Sequence, residues 1–134
     1  MNRVLVVLII MVVMLVAGCG AGQFAKQTGA KEPMLAHNVF FKLNDTSDSA
    51  KSALTDSCYE YLKDLPGIVF FAAGPIAEDL DRPVNVRDFD IGLHIIFKNR
   101  KFHDQYQTAD RHLKFTEENK DSFEQVRIFD TLVR

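Results

Sequence analysis

The stretch Asp88-Phe89-Asp90-Ile91-Gly92-Leu93-His94-Ile95-Ile96-Phe97 limits the fold more than any other part of the chain. Phe89, Ile91, Leu93, Ile95 and Phe97 alternate, and a period of two puts them on one buried face of a strand. Asp90, Gly92, His94, Ile96 and Lys98 take the other face, which is polar at both ends but too apolar to stand in water throughout. Such a strand is central, with neighbours on both edges. His37 to Leu43 and Ile68 to Ala73 are short apolar runs suited to be those neighbours.

The chain has 134 residues, enough for one domain. Its N-terminus reads as a targeting segment. Met1-Asn2-Arg3 is a short positive start, and Val4 to Val16 is an unbroken apolar run of 13 residues. That length suits a signal peptide and falls short of the roughly 18–20 residues that span a bilayer. The run ends in Leu15-Val16-Ala17-Gly18-Cys19, which resembles the lipobox of bacterial lipoproteins. The resemblance implies cleavage after Gly18, a diacylglyceryl group on the Cys19 thiol and acylation of the new N-terminus. Two or more acyl chains anchor firmly where one binds only marginally. Residues 1–18 are then the signal peptide. Residues 19–34, rich in Gly, Ala, Gln and Lys, form a flexible tether. The implied location is a bacterial cell envelope. Cys19 is consumed by lipid, which leaves Cys58 without a disulfide partner.

Removing the segment before Cys19, with Arg3 as its one charge, leaves 15 basic against 18 acidic residues, a formal charge of -3. A nucleic-acid binder is normally basic and clustered, so that partner class is excluded.

The folded part opens with a strand over Ala36–Leu43, with His37, Val39, Phe41 and Leu43 on one face and Asn38, Phe40 and Lys42 on the other. Asn44 to Ser49 favours helix capping. Ala50, Leu54, Cys58, Tyr61, Leu62 and Leu65 then fall at helical spacing until Pro66-Gly67. Ile68 to Ala77 is a second strand, weakened at Gly74-Pro75, and Glu78 to Arg87 is a loop. After the central strand, Asn99 caps a helix carrying Phe102 and Tyr106. Thr108-Ala109-Asp110 breaks it, and Asp110 caps a second piece with Leu113 inward. Glu124 to Val133 is the last strand, with Val126, Ile128 and Leu132 on one face and Phe129, Thr131 and Val133 on the other. This order, βαββαβ with a broken second helix, is the ferredoxin-like α+β arrangement: a four-stranded antiparallel sheet with helices on one face. Phe40, Phe70, Phe71 and Phe129 add more apolar surface than one layer of helices covers. A two-fold partner that closes the bare faces into a barrel removes it.

Five segments in this order resemble the stress-responsive A/B barrel (Dabb) family. They are His37-Asn38-Val39-Phe40-Phe41-Lys42-Leu43, Leu65-Pro66-Gly67-Ile68, Asp88-Phe89-Asp90-Ile91-Gly92-Leu93, Tyr106 with His112-Leu113-Lys114-Phe115, and Val126-Arg127-Ile128-Phe129-Asp130. The match covers residues 35–134 and implies a homodimeric α+β barrel. Some plant members of the family are polyketide cyclases with a tyrosine and a histidine at the positions of Tyr106 and His112. The family commonly has His-Pro where this chain has Ala109-Asp110.

Two readings stand for each candidate residue. Tyr106 and His112 form an acid/base pair joined by a hydrogen bond, or they pack and order the helix break. His37 points into a ligand cavity beside Val39 and Phe41, or it is satisfied by backbone at a strand start. The proposed catalytic set is thus Tyr106, His112 and His37, and the ligand-binding set is His37, Val39, Phe41, Tyr106 and His112. His94 reads as a hydrogen-bonded histidine at a dimer interface, His103 as a solvated helix residue, and Cys58 as a buried structural thiol. Four histidines without an HxH or HxxxH spacing assign no metal. No phosphate loop, nucleophile elbow or dinucleotide fingerprint is present, so no cofactor is assigned. The functions that follow are a lipid-anchored homodimer binding a small apolar or aromatic molecule, an enzyme doing proton transfer on such a molecule, or a structural envelope protein.

Overall fold

The computed structural model describes residues 31–134. The segment read from sequence as a signal peptide, and Cys19, lie outside the described residues, as does the segment read as a tether up to residue 30. The elements are β1 (Met34–Leu43), α1 (Asp48–Tyr61), β2 (Ile68–Pro75), β3 (Ile91–Phe97), α2 (Arg100–Gln107), α3 (Asp110–Asn119) and β4 (Phe123–Val133), with a 3-10 turn at Lys120–Ser122 before β4. The strands form one antiparallel sheet in the order β2-β3-β1-β4. This is the ferredoxin-like α+β fold, and β3 is central as its alternation requires.

The helices start where the sequence supplies caps. The Ser47 hydroxyl accepts from the Ala50 N–H at 3.3 Å, and the Asn99 side chain accepts from the Phe102 N–H at 3.2 Å. Helix α3 differs from expectation. Asp110 is its first residue rather than its cap, and Ala109 in the capping position makes no side-chain bond. The Asp110 carboxylate instead acts on the positive end of the helix from within the first turn. Gly67 turns the chain after α1 with φ at +82°, a conformation glycine adopts without penalty, and a side chain there would overlap the Phe102 ring.

Register fixes which side chains meet. Val39 pairs with Leu93 and Phe41 with Ile91 across β1 and β3. Directly opposed residues share a face. These residues with Leu35, Ile95 and Phe97 form the buried floor, and Leu54, Cys58 and Leu62 of α1, Tyr106 of α2 and Phe115 of α3 form its roof. Cys58 is fully buried, and burial pushes its thiol up to about 12, as expected of a structural cysteine. Leu113 corrects the expectation for α3: it is about half exposed, and Phe115 is the inward residue.

The central strand begins at Ile91, three residues later than its alternation suggests. Asp90 still bonds the ladder through its N–H to the Phe41 carbonyl at 2.8 Å. Its buried carboxylate accepts from the Leu43 N–H at 2.8 Å, beside the irregularity where β1 shifts register against β4. Phe89 leaves the helix-covered face and packs on Phe40 of the other face, ring centroids 4.8 Å apart. Asp88 pairs with Arg127 there. No helix among the described residues covers that other face, and Phe70 and Phe129 on it are 51% and 53% exposed. Among the described residues, no helix is long and apolar enough to cross a membrane.

Candidate functional site

Strand alternation turns His37, Val39 and Phe41 of β1 toward the helices. In β4, Asp130 stands opposite His37 and Ile128 opposite Val39. The Asp130 carboxylate therefore reaches His37, with Oδ1 2.7 Å from Nδ1. From the roof, α2 brings Tyr106 down beside this pair, its ring centroid 5.8 Å from that of His37. The break after α2 folds His112 back over Tyr106, ring on ring at 4.4 Å. His112 Nδ1 lies 3.2 Å from the Gln107 carbonyl, which only accepts, so Nδ1 carries the proton and Nε2 keeps its lone pair. Among the described residues no hydrogen bond joins Tyr106 to His112; of the two sequence readings, the rings pack, and His112 bonds the Gln107 carbonyl at the helix break.

These groups border one cavity of about 200 Å3. His37, Val39, Phe41, Tyr106 and His112, the five residues named as a ligand set from the sequence, all line it. Leu93, Gln107, Phe115 and Thr116 complete the walls, and Val126 and Ile128 of β4 stand on its open side, 41% and 53% exposed. Its walls are mixed, with two imidazoles and a phenol among aliphatic and aromatic side chains around one space. A larger groove of about 650 Å3 lies between α1 and the end of β2, but it is more open to solvent and carries the Lys51–Glu78 ion pair. The smaller cavity gathers the candidate site's titratable side chains.

Burial sets the proton affinities. It lowers the His37 imidazole below its ordinary value; the bond to Asp130 and its charge work against this, and His103 adds to it. Burial also lowers His112, where the Gln107 carbonyl works the other way and His37 and His103 add to the depression. Burial raises the Tyr106 phenol far above its usual range, with Cys58 contributing. Both imidazoles are thus neutral near pH 7, and the phenol keeps its proton.

Three partners escaped the sequence reading. His103 is buried rather than solvated, its ring centroid 5.2 Å from that of His37. It precedes Tyr106 by three residues on one helix, a spacing that puts both on one face. Asp130 occupies an inward position of β4 between Ile128 and Leu132, where an acidic residue marks a polar partner inside. Gln107 acts through its carbonyl at a helix end, which side-chain type does not reveal. His94, by contrast, is half-buried on the bare face, with Nδ1 2.9 Å from Asn38 Oδ1.

Comparison with known proteins agrees with the architecture. The chain shares the ferredoxin-like fold with a Dabb family protein from Mesorhizobium loti, at 16% identity and a TM-score of 0.65, over 77% of this chain and 99% of that one. It is also similar to a dimeric ferredoxin-like protein of unknown function from Bacteroides fragilis, at 23% identity and a TM-score of 0.57, over 74% of this chain and 95% of that one. A hydroxynitrile lyase from Passiflora edulis has the same fold at 16% identity and a TM-score of 0.62, over 78% of this chain and 95% of that one. No curated protein matches the chain in sequence. The model of the stress-responsive A/B barrel domain matches residues 35–133, and the chain belongs to that family.

The two depressed histidines predict a fold that weakens in acid. In the unfolded chain each titrates near about 6.5. Below that pH the unfolded chain binds protons that the folded chain refuses, so their contribution is full above about 6.5 and is lost as pH falls toward the folded values. The melting temperature of residues 31–134 should be level from pH 8 to about 6.5 and fall below it. His37→Asn and His112→Asn, which keep a donor for Asp130 and for the Gln107 carbonyl, should flatten the fall. An equal fall in both variants contradicts the assignment.

Proposed function

We propose that the protein is a bacterial envelope lipoprotein, anchored through Cys19, whose domain forms a homodimer and binds a small apolar or aromatic molecule beside His37, Tyr106 and His112. The observation that carries the ligand reading is the convergence of these residues, with Val39 and Phe41, on one cavity. A purely structural module would fill that space with side chains. Drug-sized sites run to about 300–1,000 Å3. At about 200 Å3 the cavity suits a single ring with few substituents. Two neutral imidazoles and a phenol orient the polar end of such a ligand.

The dimer reading rests on the bare sheet face. Phe70 and Phe129 are half exposed there, and Phe40 lies between the Phe89 and Phe129 rings. Each large side chain left in water forgoes roughly 1.5–3 kcal/mol. A second copy docked face to face recovers this with one patch used twice.

A second reading, proton-transfer catalysis on the same ligand, is favoured by one feature. The Asp130 bond fixes the His37 ring as carboxylates do for catalytic histidines, and His112 keeps a free Nε2. The hydroxynitrile lyase shows that this fold can carry catalysis, which is an argument by analogy. Tyr106→Phe and His112→Ala separate the readings once a ligand is in hand: affinity kept with turnover lost means an enzyme.

Native mass spectrometry of the gently purified protein should show a small-molecule adduct. Ile128→Trp, which fills the open side of the cavity, should remove the adduct without lowering the melting temperature. An adduct retained in full by Ile128→Trp contradicts the site. For the anchor, cells fed labelled palmitate should label the wild-type chain and leave Cys19→Ser unlabelled and unprocessed. Equal labelling of the two chains would refute the lipobox reading.

A further inference from the structure

The polar groups at the β1–β4 edge of the cavity include more than a ligand site requires. His37, His103 and Asp130 each offer a donor atom, and the three atoms lie within 4.8 Å of one another. We propose that these residues form a binding site for a divalent transition-metal ion of the zinc class. Two imidazoles and one carboxylate make a donor set that suits such ions, with positions left over for water or an exogenous ligand.

The geometry needs only small shifts. Donors bound at about 2.0–2.2 Å around one tetrahedral ion stand about 3.3 Å apart. His37 Nδ1 and Asp130 Oδ1 begin closer than this, at 2.7 Å. An ion that replaces the proton they share opens the pair by roughly half an ångström. The His37 proton then sits on Nε2, so the ring stays neutral. His103 comes in from α2 as the third ligand. Its two nitrogens already have partners, Asp104 Oδ1 on Nδ1 and the Gln107 amide on Nε2, each at 3.0 Å. Turned to the ion through Nε2, the ring gives up the Gln107 amide and keeps its Nδ1–H bond to the Asp104 carboxylate, which fixes it as outer hydrogen bonds fix metal-binding histidines.

Burial and access also fit. His37 and His103 are buried, which excludes water from two ligands, while the Asp130 side chain is 43% exposed and gives the ion a way in. Placed there, the ion borders the cavity through His37, and its open positions face a ligand's polar end. The site stands independently of the ligand reading, since the cavity keeps its walls without an ion.

The test uses the full chain in detergent, with Cys19→Ser in every sample so that no tether thiol binds the probe. Zinc is titrated against a chromophoric chelator. The parent chain should take up one zinc ion per chain at low micromolar concentration. His103→Gln and Asp130→Asn should each weaken uptake by about tenfold or more, and His94→Ala should leave it unchanged. Circular dichroism checks that each variant is folded; should His103→Gln unfold, Asp130→Asn alone decides, because it alters a part-exposed group at constant shape. Absence of saturable uptake by the parent chain, or equal uptake by the folded variants, overturns the proposal.

Discussion

A four-stranded sheet has two faces, and the described residues supply helices for only one of them. Everything functional follows from that imbalance. The alternation in β1 and β3 sends Val39, Phe41, Ile91, Leu93, Ile95 and Phe97 to the covered side, where they are buried. The same alternation sends Phe40, His94 and Ile96 to the other side, where no described element covers them in full. A one-residue slip of register would exchange the two sets. Asp90 helps prevent such a slip, because its carboxylate serves the Leu43 N–H at the one place where β1 shifts against β4.

The covered side is itself incomplete. Helices α1, α2 and α3 roof β1, β3 and β2, but β4 at the edge keeps Val126, Ile128 and Leu132 largely in water although they lie on the helix side. The cavity forms in that gap, between the break after α2 and the exposed edge of the sheet. The break is a structural necessity of the site. A continuous helix through Thr108 would point His112 away from Tyr106, whereas the interruption returns it to within 4.4 Å of the tyrosine ring.

Much of this was legible in the sequence, and the failures have physical causes. Strand faces were readable from period-two alternation, because β1 and β3 each bury a complete stripe. That these residues would line one cavity was readable for the same reason: His37, Val39 and Phe41 share one stripe, and Tyr106 lies one turn past Phe102. Phe89 was misplaced because alternation carries no signal for where pairing stops; its ring turns to Phe40 on the bare face once the strand ends at Ile91. Leu113 was misplaced because hydrophobicity alone chose the inward residue, while the angle of α3 after the break selected Phe115. Asp130 and His103 were missed because each joins His37 only across strands or layers, a contact that local spacing does not encode.

The central claim is that one face of this sheet holds the site and the other is built to meet a second copy of the chain. Light scattering of residues 31–134 at low micromolar concentration, without lipid, tests it most directly. The account predicts twice the chain mass and no binding of a dye that reports exposed apolar surface. A folded species of single-chain mass that also leaves the dye unbound would contradict it.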